Sequence, residues 1–432
     1  MVVTVVADVL GSENNGTTVA CMNLIRFLKA RGDTVRVVCC DEERRGEEGY
    51  YIVKKLSLGP ALNAVIRKNC VSIAIPDKKV ISEALEGCDA VHIMTPFMLA
   101  RAALREAVKR NIPVTAGFHC QAENLTSHFM MMKSKLANRL VYRNFYNGFY
   151  RYVDAVHYPT QFIRDDFEKS VGHKTNGYVI SNGVNEIFEK KPAEKPPELE
   201  GKFVILFIGR YAREKSHKVL VKAVAKSKYR DNIRLIFAGS GPRKREIDAC
   251  VKKTGITPPV MEFFTRERLL EAINYSDLYC HPAEIELEGI ACLEAISCGL
   301  VPVVSDSPRC ATKYFAPDEK CIFKCNDSAD LARKIDFWIE NPSLREEYSA
   351  RCLASGVSVK QSVCMESMRK MITETAEAKK RRLSREAGRY TLQSAAERSA
   401  ALSEAADLRE NSLNGVFASS DDSEYEKSSL LQ

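Results

Sequence analysis

Short, nearly continuous apolar segments alternate with longer amphipathic segments along most of the chain. The apolar segments are rich in β-branched residues, as is typical of strands that are buried on both faces of a parallel sheet. The predicted strands are Val2–Ala7, Thr34–Cys39, Val71–Ile75, Ala90–Met94, Pro113–Gly117, Ala155–Tyr158, Tyr178–Ser181, Phe203–Ile208, Ile233–Ala238, Val260–Phe264, Leu278–His281 and Val301–Ser305. This alternation predicts an α/β fold with helices on both faces of a doubly wound parallel sheet.

A change in composition divides this pattern into two halves. Residues 190–201 are rich in proline and charge, which predicts a linker. We therefore expect an N-terminal Rossmann-like domain over residues 1–189 and a C-terminal one over residues 202–350, with ligands bound in a cleft at the carboxyl ends of the strands. A helix over 351–375 is expected to return toward the N-terminal domain. Residues 376–432 have the composition of a solvated helix followed by a disordered tail.

The totals exclude several classes of protein. A formal charge of +8 on 432 residues is too small to indicate a partner by itself. The 15 cysteines are odd in number and include no Cys-x-x-Cys pair, so they predict buried free thiols in a reducing cytosol, with neither a disulfide framework nor a zinc site. The apolar N-terminus is short, has no positively charged leader and reaches Asp8 early, which predicts a first strand and no signal peptide. No apolar run is long enough to cross a bilayer, so any membrane contact is expected to be peripheral.

Basic and glycine residues follow two strands of the second half. Arg210 and Lys215 come after Phe203–Ile208, and the Gly-Ser-Gly-Pro turn containing Gly241 comes after Ile233–Ala238. Positive charge and permissive backbone at strand ends suit a diphosphate, which needs cations and N–H donors. By itself, the stretch with Arg210 and Lys215 is equally consistent with a solvated basic loop. The turn at Gly241 is by itself at least equally consistent with a packing turn.

A third segment combines three glutamates with the start of a helix. Glu286 and Glu288 lie in a loop, and Glu294 lies one to two turns into the predicted helix. A helix N-terminus attracts anions through its free backbone N–H groups, and carboxylates accept hydrogen bonds from sugar hydroxyls. The alternative is a capping loop whose acidic residues only complement the helix dipole. The predicted anion-binding N–H groups are those of Gly289, Ile290 and Ala291.

Together these segments resemble the retaining glycosyltransferases of family 4, which have the GT-B fold. The resemblance is carried by Glu286-x7-Glu294, the later Gly-Leu-Val-Pro-Val-Val, Arg210 with Lys215, the turn at Gly241, and Asn-Gly-Val-Asn from residue 182, where the family usually ends in Asp. It extends over about residues 2–370. The Glu-Leu-Glu-Gly form is similar to bacterial enzymes that glucosylate diacylglycerol.

The resemblance implies a role for each matching residue. Arg210 and Lys215 would hold the diphosphate, Glu294 the ribose and Glu286 the donor hexose, while the helix N–H groups would stabilise the leaving phosphate. The family usually has an aromatic residue at the position of Glu288, so the role of Glu288 stays open. Transfer would retain the anomeric configuration, with the leaving phosphate taking the proton of the acceptor hydroxyl. There is no Asp-x-Asp pair, so no metal or other cofactor is expected, and the cationic side chains would do that electrostatic work.

Two features of the first half are candidates for the acceptor side. Gly16 ends a glycine-rich loop after the first strand, and His119 follows the strand Pro113–Gly117. The loop could equally be an ordinary strand–helix connection capped by threonines, and a lone histidine is more often structural. The resemblance places Gly16 at the donor or acceptor and His119 near the donor sugar.

A stretch without acidic residues runs from Asn124 to Val153 and interleaves basic with aromatic side chains. Helical spacing places Lys135, Arg139 and Arg143 on one face, whereas Met132, Leu136 and Leu140 share another. Such a helix suits an anionic membrane surface, although a core-packed helix with a solvated basic face fits the composition equally well. With the resemblance to lipid glucosyltransferases, we expect a membrane-binding set of Lys133, Lys135, Arg139 and Arg143. No nucleic-acid-binding module accompanies it.

The sequence thus predicts a hexosyltransferase that uses a nucleotide diphosphate sugar, with UDP-glucose as the expected donor and a membrane lipid such as diacylglycerol as the acceptor. We expect it in the cytoplasm, on the inner face of the cell membrane. A soluble sugar or polysaccharide acceptor, a non-catalytic nucleotide-sugar-binding protein and a sugar epimerase on a related fold are the alternatives left open by the sequence.

Overall fold

The computed structural model contains two compact units. It describes residues 1–8, 10, 16–56, 73–127 and 131–390. The first unit comprises Met1–Ile180 and the chain from Glu366 onward, and the second comprises Ser181–Met365. Each unit is built on its own parallel sheet, so the predicted α/β class with two Rossmann-like domains is confirmed.

The first unit has a seven-stranded sheet in the order β3-β2-β1-β4-β5-β6-β7. Its strands are β1 (Val2–Val6), β2 (Thr34–Cys39), β3 (Tyr50–Ile52), β4 (Ala90–Ile93), β5 (Val114–Gly117), β6 (Ala155–Tyr158) and β7 (Gly177–Val179). Its described helices are α1 (Gly16–Ala30), α2 (Lys78–Ala84), α3 (Met98–Lys109), α4 (Ala122–Thr126), α5 (Lys135–Gly148) and α6 (Gln161–Val171).

The second unit has a six-stranded sheet in the order β10-β9-β8-β11-β12-β13. Its strands are β8 (Phe203–Ile208), β9 (Ile233–Ala238), β10 (Val260–Glu262), β11 (Leu278–His281), β12 (Pro302–Ser305) and β13 (Ile322–Phe323). Its helices are α7 (His217–Lys226), α8 (Lys244–Thr254), α9 (Arg266–Tyr275), α10 (Ile290–Ser297), α11 (Ser328–Glu340) and α12 (Pro342–Gly356), and α13 (Gln361–Tyr390) then leads back into the first unit.

The central strand β8 is apolar along its whole length because both of its faces are buried. Phe203, Ile205 and Phe207 pack into the core on one face of the sheet. Val204 and Leu206 pack into a second core on the other face. Since successive side chains of a strand point to opposite faces, a strand covered by helices on both sides has to be apolar at every position.

Two edge strands, β3 and β13, were missing from the predicted set. They are short and lie at the rims of their sheets, where few neighbours impose an apolar pattern. The predicted strand Val71–Ile75 lies partly outside the described residues. In its described part, Ala74 forms only an isolated antiparallel bridge with Lys55.

Residues 190–201, predicted as a linker, lie inside the second unit. Leu199 is buried in the core beneath β8, and Lys195 Nζ donates to Asp277 Oδ2 at 2.6 Å. The chain passes between the units instead at Ile180–Ser181 and again at Met365–Glu366. Proline and charge here therefore mark a strap that packs on its own unit, where Lys191 N also donates to Asn274 Oδ1 at 2.8 Å.

The helix expected over 351–375 is divided between α12 and the longer α13. The start of the predicted tail belongs to α13, and Lys379 is buried there, donating to Ile112 O at 2.9 Å and Asp154 Oδ2 at 2.8 Å. The rest of the predicted tail, 391–432, lies outside the described residues. Among the helices that are described, none is both long and apolar enough for a bilayer span.

Candidate active site

Three adjacent strands of the second sheet deliver the predicted donor residues to one edge. The order β9-β8-β11 makes the loops after these strands neighbours at the carboxyl edge of the sheet. The turns after β8 and β9 touch through their backbones. Tyr211 N donates to Ser240 O at 2.8 Å, and a Cβ on Gly239 would lie 2.2 Å from Gly209 O. A Cβ on Gly241 would similarly meet the backbone of Tyr211. Glycine is therefore required for the two turns to approach this closely.

Lys215 and Glu286 form the centre of this edge. The Lys215 ammonium donates to Glu286 Oε2, and His281 Nε2 lies 3.3 Å from the same oxygen. Tyr279 is hydrogen bonded to the other ring nitrogen, Nδ1, at 3.0 Å. The sequence predicted both charged residues, but the part played by His281 was missed, since a histidine ending a strand gives no signal of its contacts.

The charges of this pair reinforce one another. Burial by itself raises the pKa of Glu286, but the Lys215 ammonium and the His281 ring lower it to about 2. Burial likewise opposes the charge of Lys215, yet the neighbouring carboxylate keeps the pKa of that ammonium above its usual value. The site therefore holds a fixed cation and a fixed carboxylate at neutral pH.

The helix α10 begins at this edge. Gly289 precedes it with a φ of +90°, and a Cβ there would lie 2.5 Å from Thr312 Cγ2. The carbonyl of Gly289 accepts from Cys292 N at 2.8 Å. The N–H groups of Ile290 and Ala291 thus belong to the first helical turn, where no intrahelical acceptor is available. Such a turn carries partial positive charge and suits an anion.

Glu294 lies on α10, beyond its first turn, and is half-buried. Burial raises its pKa to about 8, although Arg266 acts in the opposite direction. Arg210, by contrast, lies toward solvent, and its Nη2 is 3.1 Å from Glu214 Oε1. The two residues thus differ in accessibility, since Arg210 extends from a loop whereas Glu294 is held by a helix.

The loop that carries Glu286 is fixed by a segment that the sequence did not single out. Glu286 N donates to Arg309 O at 3.2 Å, and Ala311 N donates to Glu286 O at 2.8 Å. Arg309 also pairs with Glu284 at 3.1 Å. These contacts follow β12 and join residues that are far apart in sequence, so local patterns could not reveal them.

His119 and Gly16 lie in the first unit. The ring of His119 folds back over Gly117, where a Cβ would lie 2.4 Å from His119 Nε2, and it meets His157 edge-on at 5.5 Å between centroids. Burial, with smaller contributions from His157 and His92, holds the pKa of His119 well below its usual value, so the ring is neutral at pH 7. Gly16 is the first residue of α1, and residues 11–15 of the predicted loop lie outside the described residues.

The predicted basic helix is α5, and it buries a polar and aromatic stripe. Asn138 donates to Glu123 Oε1 at 3.0 Å, while Tyr142 and Phe145 pack inward. Leu136 and Leu140 are left 70% and 57% exposed. The four predicted membrane-binding residues are all exposed, and Lys133 lies just before the helix: Lys133, Lys135, Arg139 and Arg143.

Comparison with known proteins agrees with this arrangement. Residues 14–187 match the family Glycosyltransferase Family 4, and residues 188–352 match Glycosyl transferases group 1. A GDP-mannose-dependent alpha-mannosyltransferase of Corynebacterium glutamicum is 24% identical over 307 residues, 70% of this chain and 72% of the relative. The alpha-monoglucosyldiacylglycerol synthase of Acholeplasma laidlawii is 23% identical over 271 residues, 59% of this chain and 68% of the relative.

Two solved structures extend the comparison. HepE of Anabaena, in complex with UDP and glucose, has a TM-score of 0.67 at 14% identity, covering 87% of this chain and 100% of that one. The catalytic domain of the cholesterol-alpha-glucosyltransferase of Helicobacter pylori is 43% identical, covering 36% of this chain and 97% of that one, with a TM-score of 0.35.

Two parallel-sheet units with this likeness to HepE define a GT-B fold. More particularly, the two family matches together span most of the chain, and the protein belongs to the family 4 glycosyltransferases with a group 1 C-terminal half.

Proposed function

We propose that the protein is a retaining hexosyltransferase that transfers glucose from UDP-glucose to a membrane lipid acceptor such as diacylglycerol. The observation that carries the proposal is the Lys215–Glu286 pair next to the N-terminus of α10. It combines a cation and helix N–H groups for a diphosphate with a carboxylate for a sugar hydroxyl.

In this mechanism the bond between the sugar C1 and the phosphate oxygen breaks while a bond to the acceptor oxygen forms on the same face. The acceptor proton passes to the leaving phosphate. Lys215, Arg210 and the N–H groups of Gly289, Ile290 and Ala291 would stabilise the negative charge that develops on that phosphate. These groups supply the positive charge, so we propose that no divalent ion is required.

Glu294 is proposed to bind the ribose hydroxyls of the donor. We expect Glu294→Ala to weaken UDP binding about tenfold, since burial keeps this carboxyl largely protonated at pH 7 and each hydrogen bond that it makes to a ribose hydroxyl contributes about 0.5–1.5 kcal/mol. Titration calorimetry with UDP measures this, with the exposed Glu267→Ala on α9 as the matched control. Equal affinities for both variants would contradict the assignment.

The proposed donor rests on relatives of differing specificity. HepE was solved with UDP and glucose, and the Acholeplasma relative is named an alpha-monoglucosyldiacylglycerol synthase, whereas the Corynebacterium relative is named a GDP-mannose-dependent alpha-mannosyltransferase. A screen of UDP- and GDP-sugars against lipid and soluble acceptors, read by mass spectrometry with and without a chelator, tests the function. Product from a GDP-sugar or with a soluble acceptor alone would overturn the proposed specificity, and loss of activity on chelation would overturn metal independence.

The exposed surface of α5 supports a membrane acceptor. Leu136 and Leu140 are apolar side chains open to solvent, and Lys135, Arg139 and Arg143 lie around them. Each basic residue near an anionic bilayer contributes about 1 kcal/mol, and apolar side chains that enter the interface add to this. We propose that α5 rests on the cytoplasmic face of the membrane, where the lipid acceptor is presented.

Vesicle binding should depend on this surface. We expect the triple alanine variant of Lys135, Arg139 and Arg143 to lose most of its co-sedimentation with vesicles containing anionic lipid, and Leu136→Ser with Leu140→Ser to weaken it even at low salt. A matched control removes three exposed basic residues from α8: Arg245, Lys252 and Lys253. Equal loss in both triple variants would indicate only a general effect of net charge and would contradict a specific docking surface.

A further inference from the structure

Glu288 is buried two residues after Glu286 and has partners outside its own loop. Its carboxylate accepts from Ser181 Oγ at 2.5 Å, Asn182 N at 3.0 Å and Asn182 Nδ2 at 2.5 Å. These three donors come from a segment more than one hundred residues earlier in the chain. A phenylalanine side chain at this position has no oxygen or nitrogen to accept these hydrogen bonds.

The segment that Glu288 binds is where the chain enters the second unit. The division between the units falls between Ile180 and Ser181, and the chain leaves again after Met365. We call the segments next to these two points, residues 181–186 and 359–365, the two crossings. Backbone hydrogen bonds join them. Val184 N donates to Val359 O at 2.7 Å, and Gln361 N donates to Val184 O at 2.8 Å.

Glycine is required where the two crossings meet. Gly183 has a φ of +82°, and a Cβ there would lie 2.6 Å from Gln361 Cα. The first crossing is thus pinned to the second by backbone contacts that leave no room for a side chain. Through Glu288, the loop before α10 is attached to this same assembly.

We infer that Glu288 is a positioning residue for the donor site, holding the 286–289 loop on Ser181 and Asn182. Its carboxylate fixes one end of the loop while Lys215 fixes Glu286 near the other, so that Glu286 and the start of α10 keep their relative arrangement. The inference rests on the proposed function, since it assigns Glu288 a part in binding the same donor.

The charge of Glu288 matters because all three of its partners are donors. Burial raises its pKa to about 7, the hydrogen bonds from Ser181 and Asn182 act in the opposite direction, and Glu286 adds a further upward effect. Within the described part of the chain, the Cys364 thiol on α13 also faces it, and burial raises the pKa of that thiol to about 11, so it stays neutral. Above about pH 7 the carboxylate accepts all three bonds, whereas below it a proton occupies one acceptor site. Donor KM should therefore rise as pH falls through 7.

The raised pKa has the opposite consequence for stability. A carboxyl whose pKa is higher in the folded than in the unfolded protein binds its proton more tightly when folded. The protonated Glu288 carboxyl therefore favours the folded state at low pH, and this stabilisation is lost as pH rises through about 7. Glutamine does not ionise, so Glu288→Gln avoids the loss of stability that ionisation of Glu288 causes above about pH 7. The variant should bind donor less well at pH 8 without a lower melting temperature, which a purely structural role would not produce.

The experiment compares Glu288→Gln with Glu186→Gln. Glu186 is a carboxylate at the same crossings and accepts from Ser362 N at 2.7 Å, so it controls for damage to the crossings. At pH 8 we expect Glu288→Gln to raise donor KM about tenfold with kcat within about twofold, as loss of a charged hydrogen bond predicts. Glu186→Gln should leave donor KM unchanged.

The pH profile completes the test. Wild-type donor KM should approach the Glu288→Gln value near pH 6, and the variant should lack this part of the dependence. Ser181→Ala should raise KM in the wild type and have little further effect in Glu288→Gln. If the wild type transfers sugar and Glu288→Gln has an unchanged donor KM, the positioning role alone is overturned. If the wild type transfers no sugar from any nucleotide sugar, the proposed function is overturned and the positioning role with it.

Discussion

Lys215→Ala is expected to lower kcat/KM by at least about 10²–10³-fold, the cost of removing one group that stabilises developing charge in a water-excluded site. Lys215 carries the half-buried cation of the site and is held in place by Glu286. In the proposed reaction, negative charge moves onto the diphosphate as the sugar bond breaks. A fixed cation stabilises that charge without any rearrangement, which a mobile water molecule cannot do.

The same substitution should also disturb Glu286. The lysine is the largest influence holding the pKa of Glu286 down against burial, so without it that pKa is expected to rise. Part of the carboxylate would then be protonated in the pH range of the assay. Activity in the variant should therefore recover partly as pH is raised, and a pH–rate profile measures this.

Lys218→Ala is the matched control for Lys215→Ala. Lys218 lies on α7, close in sequence, and its Nζ makes an exposed pair with Glu246 at 3.3 Å. Exposed pairs contribute little, so its activity should stay within about twofold of wild type. Full activity in a folded Lys215→Ala variant would show that the donor phosphates bind elsewhere.

Gly239→Ala should destabilise the second unit by about 2–4 kcal/mol, at the upper end of the range for overpacked sites. The new methyl group would be placed against Gly209 O, a backbone atom that cannot rotate away. Gly239 N also donates to Glu262 O at 2.7 Å, so the turn is held from its other side. The turns after β8 and β9 would have to separate, which would also displace Arg210.

Urea unfolding and UDP affinity together test this prediction. Gly201→Ala is the control, since φ is positive at both glycines, +155° at Gly239 and +67° at Gly201, but an added Cβ on Gly201 has no atom within 4 Å. It should cost only about 1–2 kcal/mol, the penalty of the left-handed conformation, and leave UDP affinity unchanged. Similar losses in the two variants would show that backbone conformation, and not the contact between the turns, is what makes Gly239 necessary.

The sequence predicted the central strands well because they are constrained on both faces. β8, β9 and β11 have the predicted bounds, and their adjacency follows from the rules of doubly wound sheets. The short rim strands β3 and β13 could not be predicted, since an edge position leaves little apolar pattern to detect. Side-chain pairs that join loops after different strands, such as Lys215 with Glu286, could be identified only from the folded structure.

The helix α5 shows a different limit. Two stripes on α5 have helical spacing, one with Leu136 and Leu140 and the other with Tyr142 and Phe145. Periodicity alone does not show which of them faces the core. The buried carboxylate of Glu123 does, because it needs donors, and Asn138 and Tyr142 supply them. The buried face of α5 was therefore set by a polar requirement that hydrophobic patterning does not describe.

The helix α13 has a consequence for the order in which the protein is made. Arg369 bonds Asp33 at 2.7 Å, and the buried Lys379 neutralises Asp154, so α13 is an integral part of the first unit. The second unit is one continuous stretch of chain, whereas the first unit is completed only by residues synthesised after it. During translation the second unit can therefore reach its final packing before the first, in which Lys379 can pair with Asp154 only after α13 emerges from the ribosome.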